Sequence, residues 1–280
     1  MNVDLIAVPF DSGQRDVRMG RGPGHLLDAG IVEALEKAGA KVKVSVAEPA
    51  TEGFGTEISI SFELQRVVAS HVARALRAES FPIVLSGNCN TAVGTVAGLT
   101  AVNGAPPAVC WLDAHGDFNT PETTTTGFLD GMAVAMVAGR CWSAMTSGVP
   151  GFVPVPESRI LIIGARDVDE LELNNLDLGQ VKRLPIADAV SHMKAIDAKQ
   201  VYMHVDLDVF DPSEGTANGF AVSGGISRAD FMKLARGMSE TGGIGAAAIT
   251  AYDPSCDPEN RIARLAIDVA VALASRGRVS

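Results

Sequence analysis

Short apolar runs rich in valine and isoleucine recur along the chain and alternate with stretches of helical periodicity. The expected strands are residues 3–8, 40–46, 82–85, 108–112, 160–163, 181–184, 201–205 and 244–250, with amphipathic helical stretches at 31–37, 63–77, 228–239 and 261–274. Strands that are apolar on both faces must be covered on both faces, which points to a parallel sheet between helices. Eight such units can form an open doubly wound sheet or a closed barrel, and periodicity does not choose. In either, ligands gather at the carboxyl ends of the strands, so the residues just after each run are where chemistry is expected.

Composition narrows the function class. The chain has 280 residues, 47% hydrophobic and 20% charged, which is a core-forming composition. At about 150 residues per domain this is one large or two small domains. No low-complexity linker or charge run divides the chain, so residues 1–280 are expected to form a single domain. A formal charge of −10 argues against a general nucleic-acid or anionic-membrane binder. No apolar run reaches the roughly 18 residues of a membrane span, and the first residues lack the pattern of a secretion leader. The four cysteines, Cys89, Cys110, Cys141 and Cys256, include no CxxC pair. They suit neither a disulfide framework nor a cysteine-only zinc site, and a cytoplasmic protein with reduced thiols is expected.

Two acidic clusters follow strands. The run 110–119 ends an apolar strand in Asp113, His115 and Asp117, and the run 201–212 ends another in Asp206 and Asp208, with Asp211 before Pro212. Spacing of two puts these side chains on one face if the chain stays extended. Carboxylates with an imidazole are a donor set suited to a divalent metal. Each cluster alone also reads as a polar start to a loop. Brought together without a cation the carboxylates would repel, and burying unpaired charges costs several kcal/mol each, so two such strand ends point to a metal, two ions rather than one.

These residues resemble the arginase, agmatinase and formiminoglutamase family, the ureohydrolases. The resemblance runs from Val8-Pro9-Phe10, Gly13-Gln14 and Gly20-Arg21-Gly22-Pro23 through Ser86-Gly87-Asn88-Cys89-Asn90 to the long stretch 113–131. It continues through 164–169 and 206–212 to Tyr252-Asp253-Pro254. It implies a three-layer α/β/α fold with an eight-stranded parallel sheet, which selects the open sheet over the barrel. It implies two manganese ions held by Asp113, His115, Asp117, Asp206 and Asp208, with Asp113 and Asp206 bridging. Metal binding lowers the pKa of water and supplies a nucleophile at neutral pH. It also implies a homo-oligomer, a trimer or hexamer.

Three positions depart from the family pattern. Cys89 stands where a histidine ligand is usual; thiolate is softer and suits zinc or iron better than manganese. A cysteine there, with the run 116–124, is similar to the branch that hydrolyses N-hydroxy-arginine; the alternative is a buried thiol beside a weak or empty metal position. Asp130 replaces a histidine that relays protons or contacts substrate, and with Asp117 it is a candidate catalytic residue. Ala251 replaces the glutamate that pairs with a guanidinium, and removing a buried partner costs roughly 3–5 kcal/mol. Asp130 is a candidate substitute across the pocket; otherwise the substrate is less basic than a guanidine, or activity is lost.

The resemblance places Asn119 and Thr126 at the carboxylate of an amino-acid substrate and Asp169 at its ammonium, which favours an amino-acid-like substrate over a plain amine. Asn119 and the threonines read equally as turn caps. Arg166-Asp167 reads as a structural ion pair. His204 reads as a core histidine or one that orients a ligand. His25, His71, His192, Trp111, Trp142, Cys110, Cys141 and Cys256 read as structural. The expected function is therefore a binuclear-metal hydrolase of a linear, non-peptide C–N bond in an amidine, guanidine or N-hydroxyguanidine. The alternatives are a catalytically impaired protein of the same fold that binds or regulates, and an unrelated α/β metal hydrolase.

Overall fold

A computed structural model of the protein describes residues 1–49, 55–239, 241 and 243–275. Eight strands form one parallel sheet: β1 (Asn2–Val8), β2 (Lys41–Val46), β3 (Ser80–Ser86), β4 (Ala108–Leu112), β5 (Ile160–Ile163), β6 (Lys182–Arg183), β7 (Val201–Asp206) and β8 (Ile244–Thr250). Their order across the sheet is β2-β1-β3-β8-β7-β4-β5-β6. Every expected strand is present. The two at the sheet edges pack less: β2 is exposed or half-buried along its length, and β6 keeps only two exposed residues. Pro185 follows β6 closely and offers no N–H to extend the ladder.

Alternation along each strand feeds two cores. Val3 and Leu5 of β1, Ile83 and Leu85 of β3 and Met203 and Val205 of β7 share one core. Against it lie α1 (Gly22–Asp28), α2 (Ile31–Lys37), α8 (Ala189–Ala195), α9 (Arg228–Met238) and α10 (Arg261–Ala274). Ile6, Val84, Trp111 and Tyr202 face the other core with α3 (Glu57–Arg77), α4 (Ala92–Asn103) and α5 (Ala133–Val137). The result is three layers, α/β/α. Two further helices, α6 (Ser143–Thr146) and α7 (Glu170–Leu178), lie in the connections around β5.

Helix α3 starts at Glu57, before the expected residue 63, because the Thr56 side chain caps it by accepting the Ser59 N–H at 3.2 Å. Helix α4 has no amphipathic signature, because residues 92–100 are buried on every side between α3 and the sheet. Gly94 and Gly98 permit that approach. A Cβ at Gly94 would strike the Gln65 carbonyl, and one at Gly98 would lie 2.6 Å from Val72 Cβ.

The four central strands, β3, β8, β7 and β4, are contiguous neighbours. Thr250 pairs in register with Ser86 of β3 and Asp206 of β7, and Leu112 of β4 pairs with Val205. Their carboxyl ends are therefore level, and the residues beyond them open into one cleft.

Candidate metal centre

Strand β4 stops at Leu112, and the chain then turns rather than continuing extended. The Asp113 carboxylate accepts the His115 backbone N–H at 2.8 Å and lies 3.1 Å from His115 Nδ1. Asp117 has φ of 49°, a left-handed conformation that non-glycine residues adopt rarely. The turn, not alternation along a strand, brings Asp113, His115 and Asp117 together. The same holds at β7. Its last residue, Asp206, accepts the Asp208 N–H at 2.9 Å and starts a 3-10 turn over Leu207–Val209. The chain does not stay extended at either cluster, so the five side chains converge through turns and not on one strand face.

Cys89 follows β3 in the turn Cys89–Thr91 and is 2% exposed. Its thiol donates to Asp206 Oδ2 at 3.0 Å and lies 3.2 Å from Thr250 Oγ1. Two donor groups emerge, each with all donor atoms within 4.8 Å of one another: Cys89, Asp113 and Asp117, and Asp113, His115 and Asp208. Asp113 is common to both. Asp206 adjoins both, touching Cys89 through Oδ2 and Asp208 through Oδ1.

Electrostatics show what the arrangement lacks. Burial pushes Asp117 well above the usual carboxylate range, and the charges of Asp113, Asp130, Asp206 and Glu172 add to it. Asp206 is raised in the same way by burial, Asp208 and Asp113, and Asp208 reaches about 6 through burial and Asp113. Burial, with Asp206 and three more aspartates, also pushes the Cys89 thiol up. His115 goes against its own burial: hydrogen bonding to Asp113 and the charges of Asp113, Asp208 and Asp167 hold it up at about 9. The buried Asp117 Oδ2 has no hydrogen-bond partner. A buried carboxylate oxygen without a donor is costly, and a cation relieves both it and the mutual repulsion. Oxygen, nitrogen and sulfur donors in two groups joined by one carboxylate fit two divalent cations.

The cleft of about 220 Å³ that holds these residues also holds Asp130, Asn119, Thr126 and Asp169. Asp130 accepts the Asn90 N–H at 2.8 Å and an Asn88 side-chain N–H at 3.0 Å. Burial outweighs these donors and raises it to about 7. Asn119 Oδ1 accepts the Thr123 hydroxyl at 2.9 Å, and Thr126 Oγ1 accepts the Phe128 N–H at 3.2 Å, so both brace the loop they were expected to cap while still lining the cleft. Asp169 stands at the amino end of α7 without a side-chain capping bond. Ala251 lies on the cleft floor with φ of 59°, 3% exposed, its carbonyl held by Asn218 at 2.8 Å.

Several contributions are not visible in the sequence pattern. Glu172 lines the cleft, accepts the Phe118 N–H at 2.7 Å and is raised to about 7, mainly by burial. Gly116 is its only local trace: a Cβ there would lie 2.5 Å from Glu172 Oε1. Asn218 donates to Asp208 Oδ2 at 3.1 Å, bracing that carboxylate. Trp111 is core, as expected, and its indole also donates to Asp113 Oδ2 at 3.0 Å. Arg166 does not pair with Asp167. Its guanidinium instead donates to the carbonyls of Gly164, Asp208, Val222 and Ser223, at 2.8–3.3 Å, and fixes the loops beside the cleft. Asp167 lines the cleft, 4.0 Å from His115 Nε2.

Comparison with known proteins agrees with this geometry. The sequence matches the Arginase family over residues 1–275. It is 29% identical to an arginase of Brevibacillus brevis and 28% identical to one of Bacillus subtilis, covering 95% and 97% of each chain respectively. Among solved structures, arginase from Bacillus subtilis superposes with a TM-score of 0.87 at 26% identity, and arginase from Bacillus caldovelox with 0.86 at 26%, each covering 98% of both chains. With its eight-stranded parallel sheet and its cluster of donors at the central strand ends, this chain belongs to the arginase family of metal-dependent C–N hydrolases.

Proposed function

We propose that residues 1–280 form one metallohydrolase domain. It holds two divalent cations, manganese in the first instance, and cleaves a linear C–N bond in an amidine, guanidine or N-hydroxyguanidine borne on an amino-acid-like substrate. The observation that carries this reading is the pair of donor groups sharing Asp113 in one cleft, with the Asp117 oxygen left unpartnered beside them. Cys89, Asp113, Asp117 and Asp206 would hold one ion, and Asp113, His115, Asp206 and Asp208 the other. Bound there, the ions supply a lowered water pKa and charge stabilisation at the reacting centre.

The chain's own residues do the rest. Asn119 and Thr126 offer hydrogen bonds to a substrate carboxylate, and Asp169 offers charge to its ammonium. Asp130, which lines the cleft and is held by the Asn90 N–H and the Asn88 side chain, is placed to relay a proton to a leaving amine. Ala251 gives no charge to the far end of the substrate, so Asp130 is the carboxylate available to a cationic head group. Among the described residues the cleft lining contains no lysine or arginine, and its acidic groups favour a cationic molecule. The relatives that bear the name arginase support this substrate class. We further infer a cytoplasmic homo-oligomer, a trimer or hexamer; among the described residues no helix is long and apolar enough to cross a membrane.

The test is metal content after manganese loading, followed by a screen of guanidino, amidino and N-hydroxyguanidino acids. About two ions per chain and release of urea or an equivalent product from one of these acids is the expected result. A metal-free protein without turnover would leave the binding or regulatory reading, which Cys89, Asp130 and Ala251 motivate.

A further inference from the structure

Beneath the centre lies a chain of buried polar side chains to which the reading above gives no role. Tyr202 and His204 are 0% exposed and Thr250 is 1% exposed. The Tyr202 hydroxyl lies 2.8 Å from His204 Nδ1, His204 Nε2 lies 3.1 Å from Thr250 Oγ1, and Thr250 Oγ1 lies 3.2 Å from Cys89 Sγ. We propose that Thr250, held by His204 and Tyr202, is a positioning residue that presents the Cys89 sulfur to a divalent cation. This rests on the reading of Cys89 as a metal ligand.

Placement makes Thr250 the hub. It ends the central strand β8, level with Ser86 on one neighbour and Asp206 on the other. Its hydroxyl is the only one in a strand that otherwise reads IGAAAI. The imidazole behind it is immobilised: the His204 ring stacks on Trp111 with centroids 3.5 Å apart and planes within 1°. Trp111 in turn donates to Asp113 Oδ2 at 3.0 Å. One stacked pair of rings therefore steadies both the carboxylate shared by the two donor groups and, through Thr250, the thiol.

One proton arrangement serves every member. Tyr202 donates to Nδ1, Nε2–H donates to Oγ1, and the threonine hydroxyl donates to Sγ. The sulfur is the terminal acceptor. A cation bound there would take the place of the thiol proton, which now bonds Asp206 Oδ2 and would pass to solvent, leaving that oxygen free as a ligand. Sulfur would keep Thr250 as its hydrogen-bond partner, which would hold its direction on loading. Partners of this kind commonly set metal affinity by about 10–100-fold.

Cobalt(II) substitution tests the proposal, because a cobalt–thiolate bond has its own charge-transfer absorption, independent of turnover. Wild type is expected to show that band and Cys89→Ser to lack it. Thr250→Val should weaken binding of the ion on the Cys89 side by about 10–100-fold and shift the band, with Thr250→Ser restoring both. Tyr202→Phe, which removes one oxygen, should move both in the same direction by a smaller factor. A Thr250→Val protein with wild-type affinity and band overturns the proposal, even if its melting temperature falls. If that variant does not fold, an unchanged band and affinity in Tyr202→Phe overturns it instead. Cobalt-loaded wild type without the band removes Cys89 as a ligand, and the positioning role with it.

Discussion

The two halves of the candidate centre share Asp113 but are built differently. On the His115 side, Asp208 accepts hydrogen bonds from the Ala114 N–H and from Asn218, and the imidazole lies 3.4 Å from its Oδ2. That half meets both Asp208 oxygens with protein donors. On the Cys89 side, Asp117 keeps an unpartnered oxygen, and Asp130 and Glu172 add further carboxylates raised by burial. That half is complete only with a cation. The difference teaches that pre-organisation here is uneven: one half is shaped by protein contacts, and the other keeps a buried carboxylate oxygen that no protein donor meets.

The strongest way to break the comparison is to remove what the halves share. Asp113→Asn is expected to abolish binding of both ions and lower activity by roughly a thousandfold or more, since metal activation is worth several kcal/mol. Metal stoichiometry and turnover read this together. Retention of two tightly bound ions would show that the halves are independent. Asn218→Ala should act on one half only, weakening the His115-side ion by about 10–100-fold while the Cys89 side holds, which sequential metal titration resolves.

The halves should also respond with opposite sign in metal-free protein. Asp117→Asn relieves an unpartnered buried charge and should raise the melting temperature by a few degrees. Asp208→Asn disrupts a satisfied network and should destabilise by about 1–3 kcal/mol. Equal effects in calorimetry would erase the distinction.

The smallest effect is in pH dependence. Asp130 and Glu172 are raised to about 7, so the folded metal-free protein binds their protons more tightly than the unfolded chain does. Their contribution is full below pH about 4 and is lost as pH rises through about 7. His115 is raised to about 9 from 6.5, so its contribution is full below pH 6.5 and fades towards pH 9. Thermal melting of metal-free protein should therefore decline from about pH 4 to about pH 9, with Asp208, raised to about 6, adding to the lower part of the fall, and cation loading, which keeps His115 neutral, should flatten the whole profile. A flat profile without metal would contradict the unevenness.

All eight strands were legible because each central strand is apolar on both faces, and the site was legible because polar residues ending such strands have few other uses. Asp113, His115, Asp117, Asp206 and Asp208 were singled out this way, and turns rather than strand alternation bring them into one cleft. Glu172, Asn218 and Thr250 were not, since each acquires its role from a partner far along the chain. The Arg166-Asp167 pair misled for the same reason: adjacent opposite charges said nothing of the carbonyls that the fold brings to the guanidinium. Helix α4 was missed because a helix buried on all sides has no polar face to betray its period.

The order of the strands has a bearing on how the molecule is made. Strand β8 comes last in the chain yet lies between β3 and β7. Until residues 244–250 leave the ribosome, the sheet cannot close, and β3 and β7 each present a long, apolar, unpaired edge. Such edges are templates for intermolecular pairing. A nascent or truncated chain lacking its last strand should thus be a client for chaperones and prone to aggregate, and the complete chain should cross from that state to the native one in a single late step.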